Sequence, residues 1–329
     1  MIKVPKIPPN VQIELCNICN AKCSTCPTPK MKRKRGIMKF ELFKKIIDDL
    51  ESINFEGNIL PFLNGESLLV KNFTNYLRYI RLKIPKSKII LFTNASLLNE
   101  DLSNEIIKED LIDELIVSFD GGTKKSYESI RIGLSFDKVK NNIHRLIQIR
   151  DNLKKEHPKV KITMVVTPEN TDTRNKLTEE FIDVDDINFS IMFNWGGQLS
   201  NSFNKDISSS KNNFCSLLYD TIYILQNGDV CLCCFDYEGI EKIGKIQNSP
   251  IKEIWLGEEL QNKRNLLKNR EFSELDLCRN CDVINCNVLT QHLIKSRSII
   301  NSYFPNTSKF FENVYKSLKF RLDIYRLNK

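Results

Sequence analysis

No stretch of this chain approaches the roughly 18 apolar residues needed to cross a bilayer, and its amino terminus has no apolar segment of the kind that directs export. The two absences exclude a transmembrane or secreted protein and place the expected site of action in the cytoplasm. An excess of one charge sign is also largely missing. The 49 Lys and Arg are nearly matched by 41 Asp and Glu, and the net charge of +8 is spread along the whole sequence. A nucleic-acid-binding protein concentrates its basic residues on one face, so no nucleic acid is expected as a partner. Apolar residues are not scarce: at 41% of 329 residues they can fill the core of one large domain and a smaller one.

Cysteine is the residue in surplus. Eleven cysteines would suggest a disulfide framework in a short exported chain, but in a long chain without an export signal metal ligation explains them better. Four fall between positions 16 and 26. Three of these, Cys19, Cys23 and Cys26, are spaced Cys-x3-Cys-x2-Cys directly after an apolar strand expected over Val11 to Leu15. Three thiolates satisfy three of the four irons of a [4Fe–4S] cube and leave the fourth open to a small molecule. A zinc site and a set of unliganded structural thiols are the alternatives.

Strand and helix signals then alternate. Strands are expected at 58–63, 88–92, 114–119, 161–166 and 186–193, and helices near 39–53, 72–84, 99–111, 136–153 and 173–181. With the first strand this makes six βα units, hence an α/β fold with a parallel sheet that curls into a partial (β/α)6 TIM-like barrel. Such barrels place their chemistry at the carboxyl ends of the strands. Those ends carry the three cysteines, Asn64-Gly65-Glu66-Ser67, Thr93-Asn94, Ser118-Phe119-Asp120-Gly121 and Asn194-Trp195-Gly196, all expected on one face.

A polar stretch over 201–213 reads as a linker between a core at 1–200 and a small α+β, cysteine-rich domain at 214–290. In that domain Asn227-Gly228 signals a hairpin between strands at 220–226 and 229–233. The hairpin carries Cys231, Cys233 and Cys234, and Cys278-x-x-Cys281 and Cys286 come after a helix bearing Ile251, Ile254 and Leu260. Cys233 and Cys234 compete for one role, since neighbours on a strand face opposite sides. A four-cysteine zinc site is an alternative here too. The tail, 291–329, carries an amphipathic basic helix expected to dock on its own protein or to touch a membrane or lipid-linked substrate.

These motifs resemble the radical S-adenosylmethionine (radical SAM) superfamily, and the second half resembles its SPASM and Twitch extensions. The resemblance implies that Cys19, Cys23 and Cys26 hold a [4Fe–4S] cluster whose open iron binds SAM. It implies that Glu66 binds the SAM amino group, in a Gly-Gly-Glu-Pro-like motif where Asn64 and Ser67 replace the first Gly and the Pro. Thr93 and Asn94 match a Thr-Asn-Gly motif, Ser118 and Asp120 a Ser-x-Asp-Gly motif near the SAM ribose and carboxylate, and Arg131 an arginine that meets the carboxylate. Val166, at the end of strand 5, would line the adenine. Seven cysteines after the barrel suit one auxiliary [4Fe–4S] cluster, on Cys215, Cys233, Cys278 and Cys281, with separations similar to those of an amino-cyclitol dehydrogenase of the family. Cys16 and Cys231 are left as buried or spare thiols.

The resemblance thus implies an enzyme, a radical SAM oxidoreductase expected to remove two hydrogens from a small polar substrate such as a sugar or cyclitol alcohol. A flavodoxin or ferredoxin would serve as its reducing partner. No leader-binding domain is expected ahead of the first cysteine, which disfavours the alternative, a maturase acting on a peptide or protein side chain. A zinc-binding scaffold protein is the non-enzymatic alternative.

Overall fold

The computed structural model describes residues 4–199 and 215–285. Cys286, the expected linker and the expected tail helix lie outside the described residues. Six strands, β1 (Asn10–Ile13), β2 (Asn58–Leu60), β3 (Lys88–Thr93), β4 (Glu114–Ser118), β5 (Lys159–Val166) and β6 (Asp186–Ile191), alternate with helices as the sequence predicts. The helices are α1 (Phe40–Ser52), α2 (Phe73–Lys83), α3 (Glu100–Lys108), α4 (Lys124–Ile130), α5 (Phe136–Asn152) and α6 (Arg174–Glu180). Period-two burial makes the strands two-faced: in β3, Ile89, Leu91 and Thr93 are buried while Ile90 and Phe92 on the opposite face are half-buried. The helices close over the strands with apolar stripes such as Phe43, Ile46, Ile47 and Leu50 of α1.

Between β4 and β5 the sequence reading expects one helix, and the structure has two. The short α4 carries few apolar positions and escaped the periodicity, yet it is defined by a capping box in which Thr123 and Ser126 exchange side-chain and backbone hydrogen bonds. Likewise the helix expected over Ile251, Ile254 and Leu260 is two helices, α8 (Ile251–Leu256) and α9 (Glu258–Asn269), divided at Gly257. Ahead of them α7 (Leu217–Asp220) is a single turn; α10 (Asp276–Arg279) and α11 (Asp282–Asn285) come after.

The sheet does not stop at the barrel. Its order is β6-β5-β4-β3-β2-β1-β7-β8-β9, with β7 (Thr221–Ile224), β8 (Asp229–Cys231) and β9 (Lys242–Lys245) continuing it. Strand β7 lies parallel to β1, with Asn10 opposite Thr221 and Ile13 opposite Ile224, whereas β8 and β9 are antiparallel additions. The Asn227-Gly228 turn is where the sequence puts it, and Gly228 takes the positive φ of +85° that such a turn requires. The described residues as far as Ile284 fall in one compact unit. Among the described residues no helix is long and apolar enough to cross a membrane.

Candidate cluster-binding site

The cysteine loop leaves β1 and returns to it. Met38 N–H donates to the Leu15 carbonyl at 2.7 Å, Cys16 forms a bridge with Ile37, and the Asn17 carboxamide accepts from Gly36 N–H at 2.7 Å while donating to the Lys34 carbonyl at 3.0 Å. The basic run at 31–35 is therefore more than a solvated surface. Arg35 donates to the Asn17 and Thr28 carbonyls, and Arg33 forks onto Glu14, with Nη1 at 2.8 Å from Oε2. Glu14 is fully buried and also accepts from Asn64 Nδ2 at 3.1 Å and Gln226 N–H at 3.0 Å. One carboxylate thus joins β1, the returning arm of the loop, the β2 loop and the end of β7. The sequence reading missed it, although an acidic residue flanked by the apolar Ile13 and Leu15 was a signal that could have been read.

Within this frame Cys19, Cys23 and Cys26 lie close enough to repel one another electrostatically when ionised. Burial raises the Cys19 thiol to about 12, with the Ala21 N–H, 3.4 Å from its sulfur, partly opposing. Burial also raises Cys23, opposed by the Arg131 guanidinium, whose Nη1 lies 3.7 Å from the sulfur. A cationic iron centre would reverse that balance by stabilising the thiolates. A tetrahedral zinc site, with Zn–S bonds of about 2.3 Å, needs its sulfurs within about 4 Å of one another. Among the described residues no three Cys, His, Asp or Glu side chains converge as they would on one ion.

Cys16 is set apart from the other three. Its thiol donates to the Glu66 carbonyl at 3.1 Å, and burial raises it to about 11, so it is a neutral structural donor.

The strand ends meet the loop. Gly65 has φ +87°, and a Cβ there would lie 2.7 Å from the carbonyl oxygens of both Cys16 and Ile18, so the backbone of the β2 loop touches that of the cysteine loop. Glu66 is buried and accepts from Thr93 Oγ1 at 2.7 Å, Asn94 N–H at 2.8 Å and Leu68 N–H at 3.2 Å. Burial raises its carboxyl, and these hydrogen bonds together with the charge of Arg131 pull it back. Asn94 Nδ2 donates to Asn20 Oδ1 at 3.0 Å, and Ala95, where the Thr-Asn-Gly motif has glycine, takes φ +55°. Asp120 is fully buried, its Oδ1 accepting from Val165 N–H at 2.7 Å and its Oδ2 lying 2.6 Å from Arg131 Nε. Ser118 and Val166 are half-buried at the ends of β4 and β5. Asp120 is thus inside the protein, where it holds Arg131.

Both of the competing cysteines, Cys233 and Cys234, lie with the second thiol set. Cys233 is electrostatically coupled to Cys234, Cys215, Cys281 and Cys278, and burial raises the thiols of Cys233, Cys234, Cys278 and Cys281. The strand argument about Cys233 and Cys234 does not hold, because β8 ends at Cys231 and the next residues turn out of the ladder. Cys231 is buried behind them, its thiol 3.6 Å from the Cys233 carbonyl. Asn194 and Trp195 serve this region. Asn194 Nδ2 donates to the Asn280 carbonyl at 2.7 Å, and its N–H to Asp282 Oδ2 at 2.8 Å. Trp195 Nε1 donates to the Thr25 carbonyl at 3.2 Å while its ring meets Phe235 and Tyr237 edge-on. The two thiol sets are therefore cross-linked by one side chain. Behind the second set Arg264 is buried with its guanidinium 4.2 Å from the Trp255 ring, donating to the carbonyls of Leu218 and Trp255 in the terminal turns of α7 and α8.

Comparison with known proteins agrees with this geometry. Residues 13–181 match the radical SAM superfamily and residues 215–282 match SPASM, an iron–sulfur cluster-binding domain. The chain is 24% identical over 283 residues to an S-adenosyl-L-methionine-dependent 2-deoxy-scyllo-inosamine dehydrogenase of Niallia circulans, covering 86% of this chain and 96% of that protein. Its fold resembles that of BtrN in complex with AdoMet and 2-DOIA, with a TM-score of 0.61 and 22% identity over 88% of this chain and 95% of BtrN. It also resembles Streptococcus suis SuiB bound to the precursor peptide SuiA, with a TM-score of 0.65 and 15% identity over 86% of this chain and 71% of SuiB. These matches span the cysteine loop, the parallel sheet and the second thiol set, and the chain belongs to the radical SAM superfamily, with a carboxy-terminal SPASM iron–sulfur domain.

Proposed function

We propose that this chain is a radical SAM dehydrogenase acting on an alcohol group of a small polar molecule such as a sugar or cyclitol. The observation that carries the reading is that Cys19, Cys23 and Cys26 lie within electrostatic reach of one another and of Glu66 and Arg131 at the strand ends. On this reading the three cysteines hold the SAM-binding [4Fe–4S] cluster, which when reduced and bound to SAM supplies a 5′-deoxyadenosyl radical able to take a hydrogen atom.

The chain's own residues hold SAM. Glu66 keeps one Oε2 lone pair for the amino group after accepting from Asn94, and Thr93 and Asn94 fix its carboxylate. Arg131 Nη2 makes no hydrogen bond among the described residues and is available to the SAM carboxylate. Ser118 and Val166 flank the ribose and adenine. Asp120 contributes by orienting Arg131.

Alcohol oxidation must dispose of a hydrogen atom, a proton and one further electron. Cys215, Cys233, Cys278 and Cys281, four thiolates that leave no iron open, would hold the group that accepts that electron. Dehydrogenation is supported by the likeness to the inosamine dehydrogenase across nearly the full length of both proteins. A reducing partner such as flavodoxin or ferredoxin supplies the first electron. A cytoplasmic setting suits ten cysteines that form no disulfides with one another among the described residues.

The test is anaerobic reconstitution followed by iron analysis and SAM cleavage. Two cubes give about eight irons per chain, and the triple change of Cys19, Cys23 and Cys26 to Ala should abolish 5′-deoxyadenosine formation. A colourless protein carrying zinc would sink the reading. Product mass decides the reaction: loss of two hydrogens from a polyol supports dehydrogenation, whereas turnover stimulated by a peptide, or a product with a new bond, rejects it.

A further inference from the structure

We propose that Arg131, clamped by the buried Asp120, donates a hydrogen bond to the Cys23 sulfur and so raises the reduction potential of the cluster on Cys19, Cys23 and Cys26. The inference rests on the reading of Cys23 as a cluster ligand.

Backbone register places the two residues together. Lys22 N–H donates to the Ile132 carbonyl at 2.8 Å and Ser24 N–H to the Ile130 carbonyl at 3.0 Å, so Cys23 and Arg131 are the residues left facing each other between the two bonds. Arg131 is also the carboxy-terminal cap of α4, its N–H donating to the Tyr127 carbonyl at 2.7 Å, which fixes where its side chain starts.

Two contacts then direct the guanidinium. Nε lies 2.6 Å from Asp120 Oδ2, and Nη1 points at the Cys23 sulfur 3.7 Å away. Nε and Oδ2 are both buried without a well-aligned hydrogen bond, so their close contact is a bent ion pair. Asp120 cannot swing away, being fully buried and bound at Oδ1 by Val165 N–H. Asp120 lies against the guanidinium, and an arginine side chain is not deprotonated in proteins, so the donor is always charged.

A structural ion pair would have been complete without the sulfur. Here the pair is built against it, with only 13% of the arginine side chain exposed. Reduction adds one negative charge to a cluster and spreads part of it onto the ligating sulfurs. A charged N–H donor on one of them favours the reduced form, and weak screening in the buried surroundings strengthens the effect. Binding of the SAM carboxylate uses Nη2, a different edge of the same group.

The experiment compares reconstituted full-length protein with Arg131→Met, Arg131→Gln and Arg131→Lys. Reductive titrations are followed by electron paramagnetic resonance with SAM absent. The relevant signal is the one that disappears in Cys23→Ala and changes when SAM is added. For Arg131→Met its midpoint should fall by at least 59 mV, a tenfold change in a one-electron equilibrium, with the auxiliary signal unmoved. Arg131→Gln should fall comparably through loss of the charge, and Arg131→Lys by less. An unmoved midpoint, or equal shifts of both signals, overturns the proposal. So does loss of iron from this site in all three variants, which would make Arg131 an assembly residue. If Cys23→Ala keeps the SAM-responsive signal, the ligand reading itself has failed. If that signal is lost as expected and Arg131→Met leaves the potential alone, only this inference has.

Discussion

Removing either partner of the Glu14–Arg33 pair should cost far more than a surface ion pair does, because Glu14 is fully buried and the Arg33 side chain is only 13% exposed. Breaking a buried pair from one side costs about 3–5 kcal/mol, most of it the penalty of an uncompensated buried charge. Arg33→Met leaves the Glu14 carboxylate with two remaining donors, Asn64 and Gln226, which places the expected cost near the lower end, about 3 kcal/mol. Glu14→Gln leaves a guanidinium that still donates to the Tyr237 carbonyl at 2.6 Å and can reach water, so about 2 kcal/mol is expected. The double variant buries no charge. Its destabilisation should fall short of the sum of the singles by about 2 kcal/mol, the coupling of the pair. Urea unfolding of metal-free protein under reducing conditions, followed by circular dichroism, gives all three values. Single costs below about 1 kcal/mol, the range of exposed pairs, or strict additivity, would refute the view of Glu14 as the buried junction of loop and sheet.

Three further outcomes are expected. Gly65→Ala combines a positive φ with a Cβ 2.7 Å from two carbonyl oxygens, so the cysteine loop must shift; iron content should drop by about four per chain, one cube, and an unchanged content would show that the loop tolerates the side chain. Burial holds the Glu66 carboxyl above its ordinary value of 4.5, so its contribution to stability is fully present below that pH and is lost as pH rises through the folded-state value. Denaturation of wild type and Glu66→Gln across that window should show a steeper decline for wild type, and parallel profiles would contradict the assignment. Trp195→Ala removes one hydrogen bond and two edge-on aromatic contacts, a loss of about 3–5 kcal/mol. Hydrogen exchange should then quicken at both 24–26 and 235–238, and a change at one segment alone would show that the side chain does not couple them.

Strand order and the polar strand ends were legible because alternation and helical spacing act locally. The cysteine spacings were legible because they are local in the sequence. What escaped was fixed by distant partners. Arg33 and Arg35 belong to a local run of basic residues, and only the return of the loop onto β1 shows what they bond. Asp120 sits in a motif associated with ligand contact, and its contacts with Val165 and Arg131 come from β5 and the end of α4, which the local sequence does not announce. Cys234 could not be assigned by strand alternation, since the position where β8 ends is a property of the ladder with β7 and β9. The short α4 lacked the apolar repeat that reveals longer helices, although its capping residues were in view.

The parallel seam between β1 and β7 bears on whether the barrel could exist by itself. A chain cut after residue 199 would lose β7 and present the outer side of Asn10–Ile13 as a bare row of backbone donors and acceptors. An uncovered strand edge of this kind recruits strands from other molecules. The second thiol region is therefore also a chaperoning edge for the first: it occupies the one position where the barrel's opening strand would otherwise be adhesive. Replacing it with a module from another protein would demand a strand in the same register as Thr221–Ile224, whatever cofactor that module carried.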